Sequence, residues 1–165
     1  MEHVIMDSEG MRRTFVRLAH EIAERDPAEE IVLVGIKRGG EYVASRMRAF
    51  LAEAAGVDAP CGSVDIGMQR DDLVSAFFLP EYTENRLDFS VAGKTVVLCD
   101  DVLHTGRTVR AAIETVFRLG RPRVIRLLEL IDRGGRELPV RADFVGKNVP
   151  TARDEYVKVY FTERG

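Results

Sequence analysis

At 165 residues the chain is long enough for one domain with a sizeable hydrophobic core and short for two. Apolar residues make up 45% and charged residues 31%, and a formal net charge of −3 gives no overall bias toward nucleic acid, although a local basic face stays open. No apolar run approaches the ~18 residues of a membrane span, and the opening MEHVIMDSEG lacks a secretory pattern, so a cytoplasmic protein with no membrane partner is expected.

From Met11 the residues Met11, Phe15, Leu18, Ala19 and Ile22 recur at helical spacing, with Ser8 as the expected N-cap and Asp26-Pro27 as the stop. Residues 31–35, IVLVG, form a short apolar, β-branched run of the kind found in strands covered on both faces. A second helix follows, with Val43, Met47, Phe50, Leu51 and Ala54 on one face and Gly56 closing it. Residues 63–68, SVDIGM, read as another strand. Residues 73–90 show no clean period and contain Pro80, which predicts a long functional loop or lid. Gly93-Lys94 turns into the strand TVVLC at 95–99, where Cys99 reads as a buried reduced thiol; Cys61, the other cysteine, shares no metal-ligand spacing with it. The next helix buries Val109, Ala112, Ile113, Val116 and Phe117, and Gly120 before Pro122 ends it. Strands are then expected at VIRLLELI and, alternating in polarity, at EYVKVYF, with FVGKNVP a short segment between them. Strands alternating with helices in this order predict a doubly wound, mainly parallel α/β sheet flanked by helices.

Ligands of such sheets bind beyond the carboxyl ends of the strands. Three polar clusters fall there: Lys37-Arg38-Gly39-Gly40, Arg70-Asp71-Asp72, and the run from Asp100 to Thr108. In the last, Thr105-Gly106-Arg107-Thr108 opens a helix, where unpaired N–H groups and the helix dipole favour a phosphate. Asp100 and Asp101 would repel that phosphate unless they held something else, and sugar hydroxyls, or a Mg²⁺ bound to them, are the natural partners. A ribose 5-phosphate satisfies both halves of the motif. Simple turn capping would need only one acid, and a Walker loop would need a Gly-Lys-Ser/Thr ending that is absent.

The stretch VVLCDDVLHTGRT resembles the phosphoribosyl-pyrophosphate (PRPP) signature of type I phosphoribosyltransferases. The segments RRTFVRLAHEIAER, LVGIKRGGEYVA, DIGMQRDDL and GRPRVIRLLELIDRGGRELPVRADFVGKNVPT carry the resemblance further. They are similar to the branch of that family whose members are both uracil phosphoribosyltransferases and attenuation regulators of pyrimidine operons. The resemblance covers most of residues 11–151, and it implies a single phosphoribosyltransferase domain over 1–165 with a small hood over the base site and a flexible lid at about 71–90.

It also implies roles. Asp100 and Asp101 would hold the ribose hydroxyls of PRPP and Thr105, Gly106, Arg107 and Thr108 its 5-phosphate, with Val102 and Leu103 also in the PRPP site. Lys37, Arg38, Gly39 and Gly40 would form the pyrophosphate loop, and Arg70 would reach the leaving group as the lid closes. A Mg²⁺ would be held through PRPP and water rather than by protein ligands. Asp132, Arg133, Lys147, Tyr156 and Val157 would frame the base. His104 stands where this branch usually has Tyr; it either packs beside the ribose or takes the base proton. Residues 73–90 hold no Lys and a single Arg, Arg86, against Glu81, Glu84 and Asp88, whereas relatives place lysines early in this loop.

The resemblance further implies UMP-dependent binding of a pyr leader mRNA and a homodimer or higher homo-oligomer. Arg13, Arg17 and His20, with Arg25 close behind, lie on the polar face of the first helix and would meet phosphates, although Glu21 and Glu24 dilute that face. Arg121, Arg123, Arg126, Arg136 and Arg141 would extend the basic surface if they shared a side. Two alternatives remain open: a nucleotide-sensing RNA-binding regulator with weak or no catalysis, and a purine phosphoribosyltransferase.

Overall fold

The computed structural model describes residues 1–67 and 85–164. Helix α1, Ser8–Arg25, is capped one residue earlier than expected: Asp7, still extended, is the N-cap and its Oδ1 accepts from the Gly10 N–H at 2.7 Å. Ser8 is already helical, and the aspartate also favours the positive end of the helix dipole. The buried stripe is Phe15, Leu18, Ala19 and Ile22, as the spacing required.

Strand β1, Ile31–Lys37, leads into helix α2, Gly40–Ala55, which ends at Gly56 in the left-handed region. Strand β2 covers Cys61–Asp65, not 63–68, because its ladder with β1 pairs Leu33 with Cys61 and Lys37 with Asp65 and stops where β1 stops. Strand β3, Thr95–Leu103, helix α3, Arg107–Leu119, strand β4, Val124–Asp132, and strand β5, Phe144–Asn148, complete the order. The sheet is five-stranded, β2-β1-β3-β4-β5, and every pairing is parallel.

Side chains alternate across the sheet and so build two cores. Leu33, Val97, Cys99, Leu128 and Leu130 face α1 and α2, where Phe15 and Phe50 stack with centroids 5.4 Å apart. Val34, Leu98 and Leu127 face α3, joined by Val109, Ala112 and Val116. Phe117, expected in that stripe, is 57% exposed. The buried face of α3 is centred on Ala112 and Val116 and spreads toward Ala111 and Thr115, which leaves Phe117 on the opposite flank.

Two expectations near the chain's end are corrected. FVGKNVP supplies a full strand, β5, on the edge of the sheet. EYVKVYF forms no strand: Tyr156, Lys158 and Tyr160 face out while Val157, Val159 and Phe161 face in, so the alternation is real, but among the described residues this segment pairs with no strand. Phe161 instead stacks on Tyr42 with centroids 5.5 Å apart, and the Arg46 guanidinium lies 4.9 Å from its ring centroid. Among the described residues no helix is long and apolar enough to cross a membrane.

Candidate active site

The carboxyl ends of β1 and β3 are adjacent in the sheet, and the two motifs that follow them pack against each other. Strand β3 runs past Cys99 to Leu103, since β4 keeps pairing with it through Val102–Ile131 and Leu103–Asp132. Both aspartates therefore lie within the strand and point to opposite faces. Asp100 is buried on the α3 face, and Asp101 is half-buried toward the loop after β1.

That loop is fitted to the carboxylates by its glycines. Gly39 has φ 115°, and a Cβ on it would stand 2.4 Å from Asp101 Oδ2; one on Gly40 would stand 2.2 Å from the Cys99 carbonyl. A side chain is thus excluded at both positions, for backbone-conformation and space at the first and for space at the second. The Lys37–Arg38 peptide is cis, and the Gly39 N–H donates to Glu41 Oε1 at 3.0 Å. Lys37 and Arg38 are exposed at the mouth.

At the start of α3, Gly106 takes φ 96°, and a Cβ on it would stand 3.3–3.4 Å from the Val140 and Leu138 side chains. The Arg107 N–H donates to Thr105 Oγ1 at 3.2 Å, while the Arg107 side chain pairs with Glu137 at 3.0 Å. Leu103 is core, and its carbonyl accepts from the Arg133 N–H at 3.0 Å.

His104 is exposed, with Nδ1 2.9 Å from the Gly134 carbonyl. A hydrogen bond to a carbonyl requires a proton on Nδ1, so in the neutral ring Nε2 carries the lone pair. Gly135 makes room for the ring, as a Cβ there would lie 2.6 Å from His104 Cε1.

Asp132 accepts from the Gly134 N–H at 3.0 Å and from the Arg136 guanidinium at 2.5 Å. Burial acts to raise its carboxyl, but Arg136 and the Gly134 N–H outweigh that and hold it below the ordinary value. Arg136 also donates to the His104 carbonyl at 2.8 Å and to the Val140 carbonyl at 2.7 Å, so it ties the α3 approach to the β4 end. It belongs to the interior of the site and not to the outer basic surface suggested for it. Arg133 is buried and donates to Thr151 Oγ1 at 3.0 Å and to the Glu155 carbonyl, which fastens the tail beyond β5. Tyr156 is exposed and Val157 half-buried on that tail.

Lys147 stands beside Ile131 in register, but its Nζ donates to the Ile5 carbonyl at 3.2 Å. It lines a polar groove of about 560 Å³ with Arg13 and Arg17 of α1, Thr14 and Gly146. Arg17 is paired with Glu21 at 2.6 Å and donates to the Gly146 carbonyl at 2.7 Å. His20 is exposed, and Arg25 lies 3.5 Å from Asp143. Arg123 and Arg126 converge instead on the buried Asp26.

Arg70 and residues 71–84 of the expected lid lie outside the described residues. The end of that loop is anchored: Asn85 accepts from the Asp65 N–H at 2.7 Å and donates to the Asp65 carbonyl at 2.9 Å, and Leu87 and Phe89 cover Gly62.

Two acids escaped the sequence reading. Glu41 lies under the glycine loop, its Oε2 buried without a hydrogen-bond partner. Glu129 of β4 is fully buried beside Asp100, and neither of its oxygens has one. An acid inside LLELI, residues 127–131, breaks an otherwise apolar core run, which was the available signal.

A parallel sheet with a glycine-fitted loop on paired strand-end carboxylates, next to a helix N-terminus, defines the phosphoribosyltransferase class; the chain belongs to the phosphoribosyl transferase domain family, whose match spans residues 5–158. Within it the relatives are the bifunctional PyrR proteins. The chain is 51% identical to Bifunctional protein PyrR of Thermus aquaticus over 96% of this chain and 88% of that protein. It is 49% identical to the one of Geobacter sp. (strain M21) over 96% and 90%. The fold is shared with solved purine enzymes. The hypoxanthine phosphoribosyltransferase of Trypanosoma cruzi superposes with a TM-score of 0.72 at 21% identity, over 92% of this chain and 83% of that one. A hypoxanthine-guanine phosphoribosyltransferase of Bacillus anthracis gives 0.69 at 19%, over 94% and 85%.

Proposed function

We propose that the protein joins uracil to PRPP, giving UMP and pyrophosphate, and that it also regulates pyrimidine-operon expression in the cytoplasm by binding leader mRNA in response to UMP. The observation that carries the catalytic half is the seating of the Gly39-Gly40 backbone on Asp101 and Cys99, which joins a diphosphate loop to a diol site without an intervening side chain.

In this reading Asp100 and Asp101 accept from the ribose hydroxyls. The 5-phosphate sits at the α3 N-terminus on the N–H groups and hydroxyls of Thr105, Gly106, Arg107 and Thr108. The backbone of residues 37–40, with Lys37 and Arg38 beside it, takes the diphosphate. Mg²⁺ keeps most of its waters and takes few protein ligands, so PRPP oxygens and water would be its donors here. Bound there, Mg²⁺ would neutralise charge on the departing diphosphate.

The bond from ribose C1 to the diphosphate oxygen breaks, its electron pair leaving with the diphosphate. The uracil ring nitrogen forms the new bond to C1 and gives up its proton. His104 is the acceptor supported by geometry, because the Gly134 carbonyl fixes Nδ1 as the protonated nitrogen and leaves the Nε2 lone pair available. Asp132, Tyr156 and Val157 are assigned to the base side, with Arg133 acting by fastening the tail at Glu155, whereas Lys147, expected there, is given to the α1 groove in which its Nζ lies.

Pyrophosphate release from PRPP and Mg²⁺, measured with uracil, hypoxanthine, guanine or no base, tests the assignment. Release with uracil alone is expected. Release with a purine would overturn the substrate, and silence with every base alongside UMP binding would leave a sensor.

A further inference from the structure

Glu129 lies in the middle of the β3–β4 ladder, in register with Asp100, so the two backbones are roughly 4.8 Å apart. Side chains two residues apart on a strand share a face. Asp100 follows Leu98 and Glu129 follows Leu127, and both leucines face α3, so the two carboxyls project from one face as neighbours.

Glu129 is 0% exposed and Asp100 5%. The surroundings offer little to balance two charges. Strand β3 adds Asp101, and the end of β4 adds Asp132. The Arg136 guanidinium is already engaged by Asp132, and Glu41 at the start of α2 adds further negative charge near Asp100. Strand β5 presents Val145 in register, and α3 contributes Val109 and Ala112, while Arg107 at its start is paired with Glu137. A buried carboxylate with no donor costs several kcal/mol and takes up a proton instead.

The charge and the proton divide unequally. Asp100 Oδ1 accepts from the Asp101 N–H at 2.9 Å, a contact that favours an ionised acceptor and outweighs the opposing hydrogen bond with the Asp101 carboxyl, whereas among the described residues neither Glu129 oxygen accepts from a donor. We propose that Glu129 is a positioning residue of phosphoribosyl transfer: its buried carboxyl is kept as the neutral acid and donates its O–H to Asp100, which stays ionised and oriented toward a ribose hydroxyl. Burial pushes both carboxyls up from their ordinary range, with Asp101 adding to the effect at Asp100 and Asp100 adding to it at Glu129.

The inference rests on the diol role given to Asp100 above, and one arm of its test is independent of catalysis. In infrared difference spectra near neutral pH, the wild type should show the carbonyl stretch of a protonated carboxylic acid that Glu129→Gln lacks. Absence of that band overturns the proposal whatever the enzyme does. The second arm measures affinity for UMP and KM for PRPP across pH. Glu129→Gln retains a donor and should stay within about twofold of wild type, whereas Glu129→Val should weaken both about tenfold, the loss of a hydrogen bond to a charged group. Its binding should also require a higher pH, because an unsupported Asp100 protonates more readily. If Glu129 were instead the ionised partner, Glu129→Val would bind more tightly and at lower pH. Unchanged or tighter binding in Glu129→Val overturns the proposal, as does a tenfold loss in Glu129→Gln, and the glutamine variant with the infrared band decides should the valine variant fail to fold.

Discussion

The loop after β1 is decided by the absence of two side chains. At Gly39 a methyl would press on Asp101 Oδ2 at 2.4 Å in a φ region that L-residues avoid. Gly39→Ala is therefore expected to displace the loop or the carboxylate and cut kcat/KM for PRPP about 10²-fold, a misplacement effect rather than a loss of chemistry. Steady-state kinetics beside a melting curve would check this; a variant with full activity would remove the loop from the site. The motif LVGIKRGGEY made the glycines visible in the sequence, but not the atoms they must avoid, because Cys99 and Asp101 are some 60 residues away along the chain. His104 shows the same limit. Its identity was readable, whereas its tautomer depends on the Gly134 carbonyl and on the space left by Gly135.

Among the elements, the end of α1 is tied to β4 by a buried acid. Asp26, only 7% exposed at its side chain, receives Arg126 at 3.2 Å and Arg123 at 3.4 Å. Burial acts to raise its pKa, but Arg126 and then Arg123 outweigh it, so folding lowers the value. The stabilisation is consequently complete above the ordinary aspartate value of 3.8 and is lost as pH falls through the lower folded one. Asp26→Asn should cost about 1–2 kcal/mol near neutral pH, roughly 3–6 °C in Tm, since both arginines keep partial solvent access. The melting temperatures of the two proteins should converge as the pH is lowered below about 4; a constant gap would show that the charge is not involved. The sequence read Asp26-Pro27 correctly as a helix stop and missed its partners. In EYVKVYF the alternation is likewise real and the strand is not: a period of two reports which side is buried, and strand formation needs a hydrogen-bonding neighbour, which this tail does not have among the described residues.

Across the whole molecule the two halves of the proposed function use different surfaces. PRPP would sit at the carboxyl edge of β1 and β3, while Arg13, Arg17 and Lys147 line a groove between α1, β5 and the N-terminal segment. Arg17 and Arg25 are exposed but pair with Glu21 and Asp143, so RNA contact would lean on the exposed Arg13 and His20. Arg13→Ala is expected to reduce the salt dependence of leader-RNA binding by about one phosphate contact, a change of ~0.7–0.9 in the log–log slope, with uracil turnover unaffected. Filter binding at several salt concentrations measures it, and an unchanged slope would take α1 out of the RNA site. Homo-oligomerisation belongs to the same reading, and the exposed Phe117 beside half-buried Ile113 and Val124 is the apolar surface that supports it.

The sequence by itself determined the alternation of strands and helices, the two buried faces of the sheet, and the chemistry gathered beyond β1 and β3. These follow from local periodicity and from motifs whose residues are contiguous. Tertiary structure alone decided which atoms those motifs meet: that β3 carries its aspartates inside the strand, that Arg133 and Arg136 fasten the site from within, and that Glu129 lies unpaired beside Asp100. Such facts depend on register between strands and on close approach of distant backbone. A pattern along one chain fixes which face a side chain occupies, and only the packed neighbours fix what it touches there.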